Sequence, residues 1–104
     1  MMNTYIYRGK YSASAWASLI GEPKDIGVVM QKSIAQFGGR VIACFVFGAD
    51  PIGFIEFPDD MAANVWGVSL AAHTGVLSVE INPVVSTKEL LKSLELAKKH
   101  AGYK

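Results

Sequence analysis

The chain has 104 residues, of which 51% are apolar, 11% aromatic and 18% charged. That balance excludes a disordered segment, which needs the opposite composition. The length suits a single domain over residues 1–104, able to bury roughly 65% of its unfolded surface. Ten basic and nine acidic side chains leave a formal charge of +1, so no strong field exists to attract nucleic acid or an anionic membrane.

In chain order, Thr4 to Arg8 reads as a first strand, rich in Tyr, Ile and Thr. Ser12 opens a helical region with Ala15, Trp16, Leu19 and Ile20, which Gly21 and Pro23 interrupt. Asp25 can cap a second helical piece running to about Phe37, with Val29, Ser33 or Ile34, and Phe37 recurring at helical spacing. Gly38-Gly39 stops it. Arg40 to Phe47 is a second strand, apolar on both sides, and Gly48-Ala49-Asp50-Pro51 makes a tight connection to a third, Ile52 to Phe57. Pro58-Asp59-Asp60 starts a helix to about Ala72, with Ala62, Val65, Trp66, Ser69 and Leu70 as one stripe. Thr74-Gly75 ends it. Val76 to Val85 is a fourth strand, in which Pro83 predicts an edge or a bulge. Ser86-Thr87-Lys88-Glu89 is a capping box opening a last helix, with Leu90, Leu94, Ala97 and Ala101 on one face.

The order strand, helix, strand, strand, helix, strand is the split β-α-β pattern of the ferredoxin-like fold. It predicts an α+β domain: a four-stranded antiparallel sheet, helices on one face, and an extra C-terminal helix. The opposite face starts out bare. On the second strand Val41, Ala43, Phe45 and Phe47 alternate with Ile42, Cys44 and Val46; on the third, Ile52 and Phe54 oppose Ile55 and Phe57. Whichever parity meets the helices, the bare face keeps large apolar groups. Four strands of about six residues give that face roughly 400 Å² in projection. A second copy over it would bury on the order of 800 Å² per chain, so the expected partner is the chain itself, as a two-fold homodimer with facing sheets.

The chain resembles the GYD domain family, small bacterial and archaeal proteins related to the dimeric α/β-barrel group. The matching pieces are Gly9-Lys10-Tyr11-Ser12, Gly38-Gly39, Phe47-Gly48-Ala49-Asp50 and Glu56-Phe57-Pro58-Asp59-Asp60, in the family's order and spacing along nearly the whole chain. Ala49 stands where the family has its tyrosine, and Asp25-Ile26-Gly27 where it often has an arginine. The resemblance implies the ferredoxin-like fold and face-to-face dimers, and no particular reaction.

Seven residues are candidates for ligand contact, while no catalytic residue is assigned. Arg8, Glu56 and Glu80 lie on three strands, and a first strand between the third and fourth would let Arg8 bridge both carboxylates, as a polar pocket or as a structural ion network. Tyr5 and Tyr7 share one side of the first strand; if Ile6 meets the helices, both rings line the dimer cavity and can stack on a flat apolar ligand. Asp50 follows the hairpin glycine, where its ordinary task is to bond turn amides. His73, near a helix end, can interact with the last carbonyls or serve as a base. The resulting expectation is a small homodimer that takes up a small apolar ligand or acts as an assembly module. The alternative is a cofactor-free monooxygenase or isomerase in which Glu56, Tyr7 or His73 acts on an aromatic or enol-like substrate.

Cys44 is the single cysteine, which matches a reducing, cytoplasmic setting. His73 and His100 show no metal-ligand spacing, so neither metal nor cofactor is expected. The longest apolar run, Val41 to Phe47, is far short of the ~18 residues a membrane span needs.

Overall fold

The computed structural model describes residues 2–101. It is an α+β chain with a four-stranded antiparallel sheet and four helices: β1 (Asn3–Tyr11), α1 (Ala13–Gly21), α2 (Ile26–Ala35), β2 (Arg40–Phe47), β3 (Asp50–Phe57), α3 (Asp60–Ala71), β4 (Val76–Pro83) and α4 (Thr87–Ala101). The strand order is β2-β3-β1-β4.

Local chemistry sets most boundaries. Ser12 caps α1 by accepting from the Ala15 N–H, and Asp25 caps α2 by accepting from Gly27 and Val28. The helical region is broken between Gly21 and Ile26, at the glycine and proline that predict a break. Gly38, with φ 78°, closes α2 in the left-handed region. The β2–β3 turn is two residues, Gly48-Ala49, with Gly48 at φ 66°; Asp50 and Pro51 already belong to β3. Pro51 is tolerated because β1 pairs with β3 only from Ile52 onward.

One sheet face carries the core. Tyr5 and Tyr7 of β1 and Ile55 and Phe57 of β3 are buried against Met30 and Ile34 of α2 and Ala63 and Trp66 of α3. Trp66 is the centre: its ring meets Tyr7 at 5.0 Å and Phe57 at 5.7 Å, and its Nε1 donates to Ser33 Oγ at 2.9 Å, tying α3 to α2.

The buried faces of two helices differ from the predicted stripes. In α2 Met30 and Ile34 are buried while Val29 is exposed; in α3 Ala63 is buried and Val65 exposed. Val28, Val29 and Met30 are consecutive, so periodicity alone allows more than one buried face.

Two bulges shift the sheet. In β2, Val41 opposes Ile55 and Ala43 opposes Phe54, leaving Ile42 as the extra residue. Val41 therefore packs on the core together with Cys44, and the regular alternation expected along β2 does not hold. The second irregularity lies between Lys10 and Tyr11. The side chain of Tyr11 turns to Trp16 of α1, 5.4 Å away.

Every described side chain of α4 is exposed, and the molecule measures 60 × 27 × 22 Å because this helix stands off the body. It does not roof the sheet. Among the described residues, no helix is long and apolar enough to cross a membrane.

Candidate functional site

The face of the sheet turned away from α2 and α3 holds most of the predicted site residues. Strand alternation puts Thr4, Ile6, Arg8 and Lys10 of β1 there, with Ile52, Phe54 and Glu56 of β3. From β2 come Arg40, Ile42, Phe45 and Phe47, and from β4 Ser78, Glu80 and Asn82. The face divides along its length. The β2–β3 half with Ile6 is apolar and exposed, with Phe45 at 58% and Phe47 at 66% exposure. The β1–β4 half carries Arg8, Lys10, Ser78, Glu80 and Asn82. The apolar part spans three strands and the six-residue rise from Asp50 to Glu56, about 20 Å by about 14 Å, or roughly 280 Å² in projection. It is smaller than the whole face that alternation predicted.

An ion pair bounds each end of this patch. Near the hairpin, Arg8 donates to Asp50 through Nη2 at 2.7 Å and Nε at 3.1 Å, both to Oδ2. The same guanidinium lies 5.5 Å from the centroid of Phe47, within reach of a cation–π contact. At the other end, Arg40 is paired with Glu56 across the β2–β3 ladder. Among the described residues these are the two ion pairs.

Several expectations for individual residues change. Arg8 does not bridge Glu56 and Glu80: it pairs with Asp50, while Glu56 belongs to Arg40 and Glu80 stands opposite Arg8 without an ion pair. Asp50 bonds the arginine rather than the turn amides. Ile6 is on the open face, so Tyr5 and Tyr7 point to the helices, where both are nearly fully buried. The phenol of Tyr5 donates to Asp60 at the start of α3. Burial pushes the Tyr7 hydroxyl far above its ordinary range, and burial followed by the Asp60 contact raises that of Tyr5. Neither ring can stack on a ligand held by the open face. His73 is exposed in the α3–β4 turn, where its Nδ1 accepts from the Gly75 N–H at 3.0 Å. Glu56, Tyr7 and His73 thus lie in three separate places within one chain: the open face, the core and the α3–β4 turn. Burial, and then Asp25, raise the Cys44 thiol above its ordinary value, in keeping with a packing role.

Arg40 and Phe47 are site residues that sequence reasoning passed over. Counting back from a two-residue turn places Val41 opposite Glu56; the extra residue at Ile42 puts Arg40 there instead. The available signal was charge alone, an arginine and a glutamate at the far ends of two hairpin strands.

Two open clefts lie elsewhere. One, of about 520 Å³, runs between α3 and β4 past Tyr5, Asp60, Gly67, Val68 and Ile81. The other, of about 470 Å³, lies between α1 and the β2–β3 hairpin beside Trp16, Leu19, Lys24 and Val46. Among the described residues no cluster of His, Cys, Asp and Glu is placed to hold a metal ion.

Comparison with known proteins gives no matching family model, no matching curated protein and no matching solved structure.

Proposed function

We propose that the protein is a homodimeric assembly module in which two open sheet faces close on each other and enclose a small apolar ligand. The observation that carries this reading is the patch of Ile6, Ile42, Phe45, Phe47 and Phe54, five large apolar side chains exposed together on one sheet face and bracketed by Arg8–Asp50 and Arg40–Glu56. Scattered apolar residues on a surface need no explanation, but a contiguous patch of a few hundred Å² is characteristic of an interaction site. A core of aromatic and branched side chains inside a charged rim is also the usual anatomy of such a site. The element succession and the order β2-β3-β1-β4 support a ferredoxin-like domain of the dimeric α/β-barrel kind. The resemblance to the GYD domain family points the same way. The three phenylalanines supply ring faces against which a flat apolar molecule can pack.

Sedimentation velocity at micromolar concentration tests the assembly, and native mass spectrometry of the same material tests the ligand. The expected result is a dimer that carries a bound small molecule, and a folded Phe54→Glu chain that associates more weakly and has lost that molecule. A monomeric parent protein, or an unaltered dimer in Phe54→Glu, overturns the reading.

A further inference from the structure

Among the described residues α4 packs on no other element, and the proposed sheet-face association does not involve it. Ser86 caps this helix through a reciprocal pair, its Oγ accepting from the Glu89 N–H at 3.1 Å while its own N–H donates to Glu89 Oε1 at 3.3 Å. Leu90, Leu91 and Leu94, with Ala97, form one apolar stripe at helical spacing, and each leucine is about half exposed. The α3–β4 cleft is the complementary shape. It is a mostly apolar channel along α3 with small residues, Ala63 and Gly67, in its wall, Val68 and Ile81 beside them, and Asp60 and Asn64 as its polar groups. α3 is about 18 Å long and α4 about 22 Å, so one helix lies along the other with little overhang.

We infer that the α3–β4 cleft receives α4 of a second copy, antiparallel to α3, in a reciprocal exchange of arms. Charge selects the orientation. α3 and its cap carry Asp59 and Asp60 and no basic residue, whereas the last turn of α4 carries Lys98, Lys99 and His100. Antiparallel packing sets those lysines beside the two aspartates and opposes the helix dipoles. The chain's own α4 cannot take this orientation. β3 and β4 are both antiparallel to β1, so α3, the crossover between them, runs against β4. A helix folding back directly after β4 would run parallel to α3 and set the charge-balanced Lys88 and Glu89, rather than the basic last turn, beside Asp59 and Asp60. The chain is also held close to the joint: Val84 N–H donates to the Thr4 carbonyl at 3.0 Å, and Ser86 is already the cap, leaving Val85 between them. In the exchange each chain contributes one arm and one cleft. At a helix diameter of about 10 Å and the roughly 18 Å of overlap that α3 allows, this covers roughly 360 Å² per chain in projection, a little under half of the ~800 Å² that one partner gives to a stable interface.

Cysteine pairs in a Cys44→Ser background test the exchange. The antiparallel register brings Val68 near Leu90 of the other copy, so a Val68→Cys chain mixed with a differently tagged Leu90→Cys chain should form an interchain disulfide on mild oxidation. Adding Lys98→Glu and Lys99→Glu to the Leu90→Cys chain should lower the yield at least fivefold. Absence of the interchain product overturns the proposal, as does an unchanged yield after the charge reversal. A Val68→Cys/Ala97→Cys chain that closes an intrachain disulfide as a monomer would place the helix in its own cleft, and would likewise overturn it.

Discussion

Both guanidinium contacts of Arg8, from Nε at 3.1 Å and Nη2 at 2.7 Å, converge on a single oxygen of Asp50, and Phe47 flanks the arginine at 5.5 Å. The Arg8 side chain is 43% exposed in the single chain. A pair this wet contributes about 1 kcal/mol or less to folding. In the proposed dimer, closing the open face over it would remove that water and make the carboxylate indispensable.

Asp50→Asn therefore separates folding from association. Its expected effect on urea unfolding at low concentration is within about 1 kcal/mol, while the proposed dimer should weaken by about 2–5 kcal/mol, since its closure would bury Arg8 without its counter-charge. Sedimentation equilibrium reads the second quantity. An equally small effect on both would mean that this end of the sheet stays in solvent.

Gly39 tests the tightness of the α2–β2 junction. A methyl group on its α-carbon would lie 2.5 Å from the Glu56 carbonyl oxygen and 2.6 Å from Ile34 Cγ2, whereas at Gly21 nothing lies within 4 Å. Gly39→Ala should cost about 1–3 kcal/mol through backbone displacement, and Gly21→Ala should be neutral or stabilising by up to about 1 kcal/mol. Urea midpoints of the two variants, measured side by side, check the contrast.

Trp66 joins three layers of contact. Trp66→Ala should destabilise by about 3–5 kcal/mol, the range for a large buried aromatic. Ser33→Ala leaves the indole N–H without its acceptor and should cost about 1–3 kcal/mol, nearer the lower figure because Ser33 is only partly buried. Chemical denaturation followed by circular dichroism distinguishes the two. A Ser33→Ala chain as damaged as Trp66→Ala would mean that the hydrogen bond, not the ring, dominates.

Alkaline pH should expose the buried tyrosines. Burial raises the folded-state pKa of Tyr7 above its unfolded value, and Tyr5 shifts the same way. Their contribution is thus fully present below the unfolded pKa of about 10 and is lost as pH rises toward the folded values. The urea midpoint should fall above pH 10, and less steeply in Tyr7→Phe. A Tyr7→Phe chain with an unchanged alkaline slope would remove Tyr7 as the cause.

Much of the element pattern was legible because its signals are local. Asp25, Ser86-Glu89 and Gly38-Gly39 act within a turn of their own positions, and each marks the boundary its chemistry predicts. The candidate site was less legible. The pairing of Arg40 with Glu56 depends on one extra residue in β2, which no composition rule marks. The pairing of Arg8 with Asp50 needs β1 to lie beside β3 at a particular register. Tyr5 and Tyr7 show the same limit in another form, since bulky groups stand on both sides of β1.

By itself, then, the sequence determined the succession of strands and helices, the hairpin, the caps and the excess of apolar surface, all consequences of backbone preference and short-range periodicity. Tertiary structure alone decided which side of β1 is buried, where β2 slips by a residue, and which arginine meets which carboxylate. Alternation divides a strand's residues into two sets, but only packing against Met30, Ile34, Ala63 and Trp66 selects which set is removed from water.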